Sequence, residues 1–346
     1  MLEKNLYTLY ASEFNKTDGN ARIIPPTVEI DLTNSCNQDC VYCCSDEHRK
    51  TNPSKAKFDN FIRLIDELAQ WSLTTSTGGI KSIVFVGGGE PTLFKNYELL
   101  IKHSLDRGFL TSLVTNGTQL DKLLSIGSEY IKRMSWIGVD VDSANTEIYN
   151  LVRMPKTNGQ FEQVKQNIKL IVEAGGIVDI KALILDSTAN KQNIIQLFEY
   201  TTAVNARMLY LRSAVLEKGN GNAYIIEEHL LKYINDLKKI YNIQVRAKQR
   251  DSIKTRCYKK CYALYLLPIF SADGIIYLCP EHRGNKELAL CNWITDDWQS
   301  LWCDVKHNDI FNTFDISNCM PCRPDPYNVG IQQVINKPES FEELFF

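Results

Sequence analysis

The chain has 346 residues and a formal charge of −2, from 39 Lys and Arg against 41 Asp and Glu. Hydrophobic residues make up 44% of it, enough for a sizeable core and too many for a disordered chain. So small a charge leaves no electrostatic footprint for nucleic acid or for an anionic membrane.

The start, Met1-Leu2-Glu3-Lys4, is charged early and lacks the apolar stretch of a signal peptide. The longest apolar run, residues 262–270, contains Pro268 and is too short to span a bilayer. Eleven cysteines in such a chain point to metal or redox chemistry in a reducing cytoplasm, not to a disulfide scaffold.

Strand and helix alternate through the first two thirds. Residues 27–32 read as a strand that runs into Cys36-Asn37-Gln38-Asp39-Cys40-Val41-Tyr42-Cys43. Phe58, Phe61, Ile62, Ile65, Leu68 and Ala69 then recur at helical spacing. Residues 82–86 form a short strand stopped by Gly87-Gly88-Gly89, and residues 97–104 a helix. A third strand, 110–115, stops at Asn116-Gly117, and a fourth covers 136–141. Phe161, Val164, Ile168, Ile171 and Val172 mark a helix closed by Gly175-Gly176. Strand 177–184, helix 194–202 and strand 208–211 follow, then a helix over 225–241 and a strand over 243–247.

Near-continuous apolar strands alternating with helices predict an α/β fold with a parallel sheet covered by helices. Periodicity leaves open whether that sheet curls into a barrel or stays doubly wound. In either, functional groups gather at the carboxyl ends of the strands. The cysteine loop, the glycines, Asn116, Asp142 and Ser143 all fall there.

Three thiolates at C-x3-C-x2-C spacing can hold three corners of an iron–sulfur cube and leave the fourth iron open to a ligand. A zinc site would more commonly use paired C-x2-C units, and inert buried thiols are the plainest alternative. In Gly88-Gly89-Glu90-Pro91, glycines let backbone approach a ligand and the carboxylate suits an ammonium, although a tight turn needs the same glycines. Asn116-Gly117 reads equally well as a strand-ending turn. Alternation puts Asp140 and Asp142 on one face, where buried carboxylates require partners. Arg212, Ser213, Asp186 and Asn190 face the expected mouth as ligand contacts or as loop caps.

The cysteine loop, with Tyr42 before the third cysteine and Gly-Gly-Glu-Pro in register after the second strand, resembles the radical S-adenosylmethionine (radical SAM) superfamily. The resemblance covers about residues 25–215. It implies a partial (β/α)6 TIM-like barrel in which Cys36, Cys40 and Cys43 carry a catalytic 4Fe–4S cluster. The open iron would be chelated by SAM, whose reductive cleavage gives a 5′-deoxyadenosyl radical that abstracts a substrate hydrogen. On the same resemblance, Gly88, Gly89 and Glu90 hold the SAM amino group and Tyr42 packs near the adenine. Asn116, Asp142 and Ser143 would contact the methionine carboxylate and ribose, and Arg153 would pair with that carboxylate. A solvated helix-end arginine is the plainer reading of Arg153.

The last third is cysteine-rich: Cys257, Cys261, Cys279, Cys291, Cys303, Cys319 and Cys322. Asp273-Gly274 between residues 263–270 and 275–278 reads as a β-hairpin. Cys261 before the hairpin, Cys279 at its end and the late pair Cys319 and Cys322 resemble the auxiliary-cluster region of the SPASM and twitch radical SAM subfamilies. The absence of any cysteine after Cys322 fits the shorter twitch form with one auxiliary 4Fe–4S cluster. A four-cysteine zinc site is the competing reading, and Cys44, Cys257, Cys291 and Cys303 stay unassigned, with Cys257 an alternative to Cys261.

The expected division is a radical SAM core over residues 1–245 and a cysteine-rich auxiliary-cluster extension over 246–346. The resemblance implies an oxidoreductase whose auxiliary cluster relays an electron. It also implies a low-potential donor, flavodoxin or ferredoxin, since such clusters sit at roughly −400 mV or below. The short stretch before residue 27 favours a small sugar-like or natural-product substrate. Crosslinking or epimerisation of a ribosomal peptide is the alternative, and an iron–sulfur or zinc-binding structural protein the non-enzymatic one.

Overall fold

The computed structural model describes residues 2–15, 23–73, 79–215, 224–248, 256–319 and 322–336. Its strands are β1 (Thr27–Asp31), β2 (Ser82–Val86), β3 (Leu110–Thr115), β4 (Trp136–Asp140), β5 (Val178–Ile184), β6 (Met208–Ser213) and β7 (Gln244–Lys248). The shorter β8 (Ile269–Phe270), β9 (Ile275–Tyr277) and β10 (Ala289–Asn292) complete one sheet in the order β10-β9-β8-β1-β2-β3-β4-β5-β6-β7. β1 to β7 are parallel neighbours, as expected when each is followed by a crossover helix. The sheet is a partial barrel, with β7 and β10 as its two edges.

The six expected strand–helix units are present, and the helix and strand expected over 225–241 and 243–247 continue the same parallel sheet as its seventh strand. The helix Glu228–Ile240 returns the chain so that β7 lies parallel to β6, and the expected division at residue 245 falls inside β7. The helix Leu2–Phe14 was not foreseen; it packs on the closing helix Asp325–Ile335, where Gly330 makes room for the Tyr7 ring.

Burial alternates along the strands because one face meets the helices and the other lines the barrel. Ile83, Phe85, Leu113, Ile137, Val139 and Leu209 are fully buried toward the helices. Ser82, Val84, Val114, Trp136, Asp140, Lys181, Tyr210 and Arg212, on the opposite face, keep partial exposure. The inner face is therefore concave and reachable by solvent.

The hairpin turns at Asp273-Gly274, where Gly274 has φ +92°, a left-handed conformation that favours glycine. Its first strand is shorter than expected. Residues 262–265 instead form a 3-10 turn whose Tyr262 and Tyr265 pack against Phe14 and Phe311, leaving only Ile269 and Phe270 to extend. Those two pair parallel with Glu29 and Ile30, so the cysteine-rich segment is welded to the edge of the barrel at β1.

Candidate functional site

β1 delivers the chain into the cysteine loop, and backbone bonds tie that loop to the glycine loop after β2. The Gly89 N–H donates to the Thr33 carbonyl at 2.9 Å and the Glu90 N–H to the Ser35 carbonyl at 2.8 Å. A Cβ at Gly89 would overlap the Ser35 carbonyl oxygen, and one at Gly88 would overlap Asn34 Oδ1. Gly89 is thus required by the approach of two backbones, and Gly88 by the Asn34 side chain.

Cys36, Cys40 and Cys43 are partly exposed and lie within electrostatic reach of one another. Burial raises all three thiols, Cys40 to about 12, and the neighbouring thiols add to the rise. Arg49 opposes it at Cys36 and Cys43, and Arg153 opposes it at Cys40. Arg49 and Arg153 favour the thiolate form of these cysteines, and an iron centre bound by them would supply further charge that makes thiolate favourable.

Glu90 is buried, and its carboxylate is already engaged. Oε1 accepts from the Thr92 N–H at 3.0 Å, the Thr92 hydroxyl at 2.7 Å and the Thr115 hydroxyl at 2.6 Å, while Oε2 accepts from the Asn116 N–H at 2.7 Å. Asn116 Nδ2 in turn donates to Asn37 Oδ1 at 2.8 Å. Glu90 and Asn116 therefore join the ends of β2 and β3 to the cysteine loop, with burial pushing the Glu90 carboxyl above the usual carboxylate range.

Tyr42, Asp142 and Arg153 were read singly as ligand contacts, and the structure pairs them with one another. The Tyr42 hydroxyl donates to Asp142 Oδ2, and the Arg153 Nε lies 2.7 Å from the same oxygen. Asp142 Oδ1 accepts from the Leu183 N–H at 2.7 Å. Arg153 also lies 5.7 Å from the Tyr42 ring centroid, with Nη1 3.8 Å from Cys40 Sγ. The buried Asp142 and Arg153 and the partly buried Tyr42 thus brace the loop between Cys40 and Cys43. Ser143 accepts from the Asn145 N–H at 3.0 Å and shapes the loop after β4. Asn190 caps the helix Lys191–Ala203, Asp186 is exposed, and Arg212 reaches over the Tyr210 ring.

In the last third, Cys261 comes within electrostatic reach of Cys279, Cys319 and Cys322, and Cys279 of Cys322. Burial raises their thiols, to about 11 at Cys319 and about 12 at Cys322. Asn328 Nδ2 lies 3.5 Å from Cys261 Sγ, and Arg256 donates to the Cys319 carbonyl at 2.9 Å. Among the described residues, no three Cys, His, Asp or Glu side chains stand close enough to hold a single metal ion. Arg256 favours thiolate at Cys261, Cys319 and Cys322, and four thiolates fit the ligand set of an iron–sulfur cluster. Of the unassigned cysteines, Cys44 and Cys257 are exposed, Cys44 lies within electrostatic reach of Cys43, and Cys303 Sγ is 3.5 Å from the Ile23 carbonyl.

Four residues that join the two cysteine sets were missed. Arg283, four residues past Cys279, places Nε 2.8 Å from Asp31 Oδ2, and Arg323, next to Cys322, places Nη2 2.6 Å from Glu29 Oε1. Both acids are buried on β1. Their alternate spacing in Thr27-Val28-Glu29-Ile30-Asp31 was the available signal, since two charges on the inner face of a strand demand partners.

Comparison with known proteins bears on the same elements. Residues 30–197 match the family model of the Radical SAM superfamily. The chain is 28% identical over 120 residues to an S-adenosylmethionine-dependent nucleotide dehydratase of Selenomonas ruminantium, covering 34% of this chain and 39% of that protein. It is 25% identical over 305 residues to the mycofactocin maturase MftC of Mycolicibacterium smegmatis, covering 83% and 71%. The fold is similar to that of Streptococcus suis SuiB bound to S-adenosylmethionine, with TM-score 0.67 and 15% identity over 88% of this chain and 71% of that one. The chain spans about four tenths of the dehydratase's length.

Proposed function

We propose that this chain, which belongs to the radical SAM superfamily and is of its SPASM/twitch kind, cleaves SAM reductively and takes a hydrogen atom from a substrate held in the barrel. The observation that carries this reading is the backbone weld between the cysteine and glycine loops, which sets three thiols beside a Gly-Gly-Glu turn at the barrel mouth. When bound, a 4Fe–4S cluster and SAM supply the electron and the 5′-deoxyadenosyl radical.

The protein's own part is to bind, orient and shield. Cys36, Cys40 and Cys43 would hold the catalytic cluster, Gly88 and Gly89 would present backbone toward the SAM amino group, and the buried Glu90 carboxylate fixes that turn. Asn116 and Ser143 border the same mouth, and the Tyr42–Asp142–Arg153 set fixes the loop and its charge. Cys261, Cys279, Cys319 and Cys322 would hold an auxiliary 4Fe–4S cluster, which would supply electron-transfer capacity for a net oxidation of the substrate. A flavodoxin or ferredoxin supplies the reducing electron.

Two substrate readings stand. Likeness to the PqqA peptide cyclase of Granulibacter bethesdensis, and to SuiB in its complex with the precursor peptide SuiA, favours a ribosomal peptide that is crosslinked or epimerised. A small sugar-like or natural-product substrate is the second, and the inner face described above is open to either. Among the described residues, no helix is long and apolar enough to cross a membrane.

The test is anaerobic reconstitution followed by dithionite and SAM. Formation of 5′-deoxyadenosine is expected. Its absence with intact clusters would leave an iron–sulfur or zinc-binding structural protein as the better description.

A further inference from the structure

The inner face of β4 to β6 carries a lysine whose surroundings are built for it. Lys181 on β5 pairs in register with Asp140 on β4 and with Tyr210 on β6. Gly138, the preceding inner-face position of β4, leaves the groove through which the lysine runs. A Cβ at Gly138 would stand 2.7 Å from Lys181 Cδ and 3.0 Å from the Trp136 ring. The ammonium lies 6.0 Å from the Trp136 ring centroid, so the side chain bends back into the barrel, away from the cysteine loop.

The carboxylates near this lysine are committed elsewhere. Glu29 pairs with Arg323 at 2.6 Å, Asp31 with Arg283 at 2.8 Å and Asp142 with Arg153 at 2.7 Å. Asp179, on the same face of β5, pairs with Arg207. Asp140 lies 3.8 Å from Arg153 Nη2 and influences Lys181 only at longer range. Among the described residues, no carboxylate stands within ion-pair distance of Lys181. The charged groups that face it are Asp140 from β4, Arg212 from β6, Glu29 from β1 and Arg323 from the last cysteine segment.

We propose that Lys181 is the anion-receiving residue of the substrate pocket, and that the substrate carries a carboxylate or phosphate which docks between Lys181, Trp136 and Tyr210. This rests on the reading of the barrel as the site of hydrogen abstraction. Burial, reinforced by Arg212 and Arg323, lowers the ammonium to about 8. A desolvated cation with aromatic faces beside it is poorly satisfied until an anion arrives, and an oxyanion restores the lost charge partner. The same face offers the apolar Val84 and Val114 to the rest of the substrate, both partly exposed.

The experiment is competitive acylation of the reconstituted holoenzyme with SAM bound, read lysine by lysine by mass spectrometry, with and without inorganic phosphate or glutarate. Protection of Lys181 by roughly tenfold is expected from one of the two anions, as ion pairing raises the amine's pKa. The exposed Lys50 and Lys95 should keep their rates. Protection by phosphate marks a phosphorylated substrate, and protection by glutarate a carboxylate such as a peptide acid. An unchanged Lys181 rate with both anions overturns the proposal. Because this readout uses the unaltered protein, it is independent of whether Lys181→Met folds. Measuring 5′-deoxyadenosine on the same preparation separates its failure from failure of the radical SAM reading.

Discussion

Arg323 Nη2 lies 2.6 Å from Oε1 of Glu29, linking the residue after Cys322 to the strand that leads into Cys36. With Arg283 on Asp31, this pair makes β1 the shared support of both cysteine sets. Neither ion pair is local in sequence, so their energy is spent on seating the cysteine-rich segment against the barrel. Glu29 is buried while Arg323 keeps partial exposure, so the acid bears most of the desolvation cost when its partner is lost.

Arg323→Ala is expected to cost about 2 kcal/mol, below the usual loss for a fully buried pair because Arg323 is partly exposed and Arg283 remains 3.5 Å from Glu29. Urea unfolding under anaerobic conditions measures it. Iron content should fall first in the C-terminal set, and an unchanged unfolding midpoint would remove the link from the account of the fold.

Gly89→Ala forces a methyl group onto the Ser35 carbonyl. Backbone cannot yield as a side chain tip does, so destabilisation of about 3 kcal/mol and loss of SAM binding are expected. Gly108→Ala is the control: its Cβ meets open space, though φ +87° still strains it by about 1 kcal/mol. Calorimetric titration with SAM distinguishes the two, and normal SAM binding by the Gly89 variant would contradict the close approach.

Asp142→Asn leaves the buried Arg153 without its nearest carboxylate. A loss of about 3 kcal/mol is expected, partly recovered when Arg153→Met is added, because removing both charges spares the unpaired one. A double-mutant cycle on thermal unfolding reads the coupling, and additive losses would show that the pair contributes little.

His307 supplies a pH dependence outside the cysteine sets. It is buried, stacked on Tyr265 with centroids 4.0 Å apart, and its Nδ1 accepts from the Cys303 N–H at 3.2 Å. Burial lowers it to about 3. The unfolded chain therefore takes up a proton near pH 6.5 that the folded protein refuses, and this contribution to stability falls as pH drops from about 7 toward 3. Between pH 7 and 5.5 the loss should be about 1 kcal/mol relative to His307→Asn. Equal slopes for the two proteins would contradict it.

The cysteine loop was legible because its pattern is local: three cysteines fall within eight residues and three glycines are consecutive. The strands were legible as apolar runs, and β1 to β6 agree with expectation to within about two residues. What was not legible depends on distant partners. Tyr42, Asp142 and Arg153 were each identified, but only folding shows that they bond to one another. Arg283 and Arg323 carry no pattern of their own, and the first hairpin strand was overestimated because Tyr262 and Tyr265 pack better from a turn.

The central claim is that two cysteine sets hold two clusters and that only the first is open to SAM. The most direct measurement is iron content with electron paramagnetic resonance of the reduced protein, before and after SAM, in wild type and in the Cys36→Ala/Cys40→Ala/Cys43→Ala variant. Wild type should hold about eight irons and show a signal that SAM perturbs; the variant should keep about four and a signal indifferent to SAM. A variant that binds no iron, that holds zinc in its place, or whose remaining signal shifts with SAM would contradict the claim.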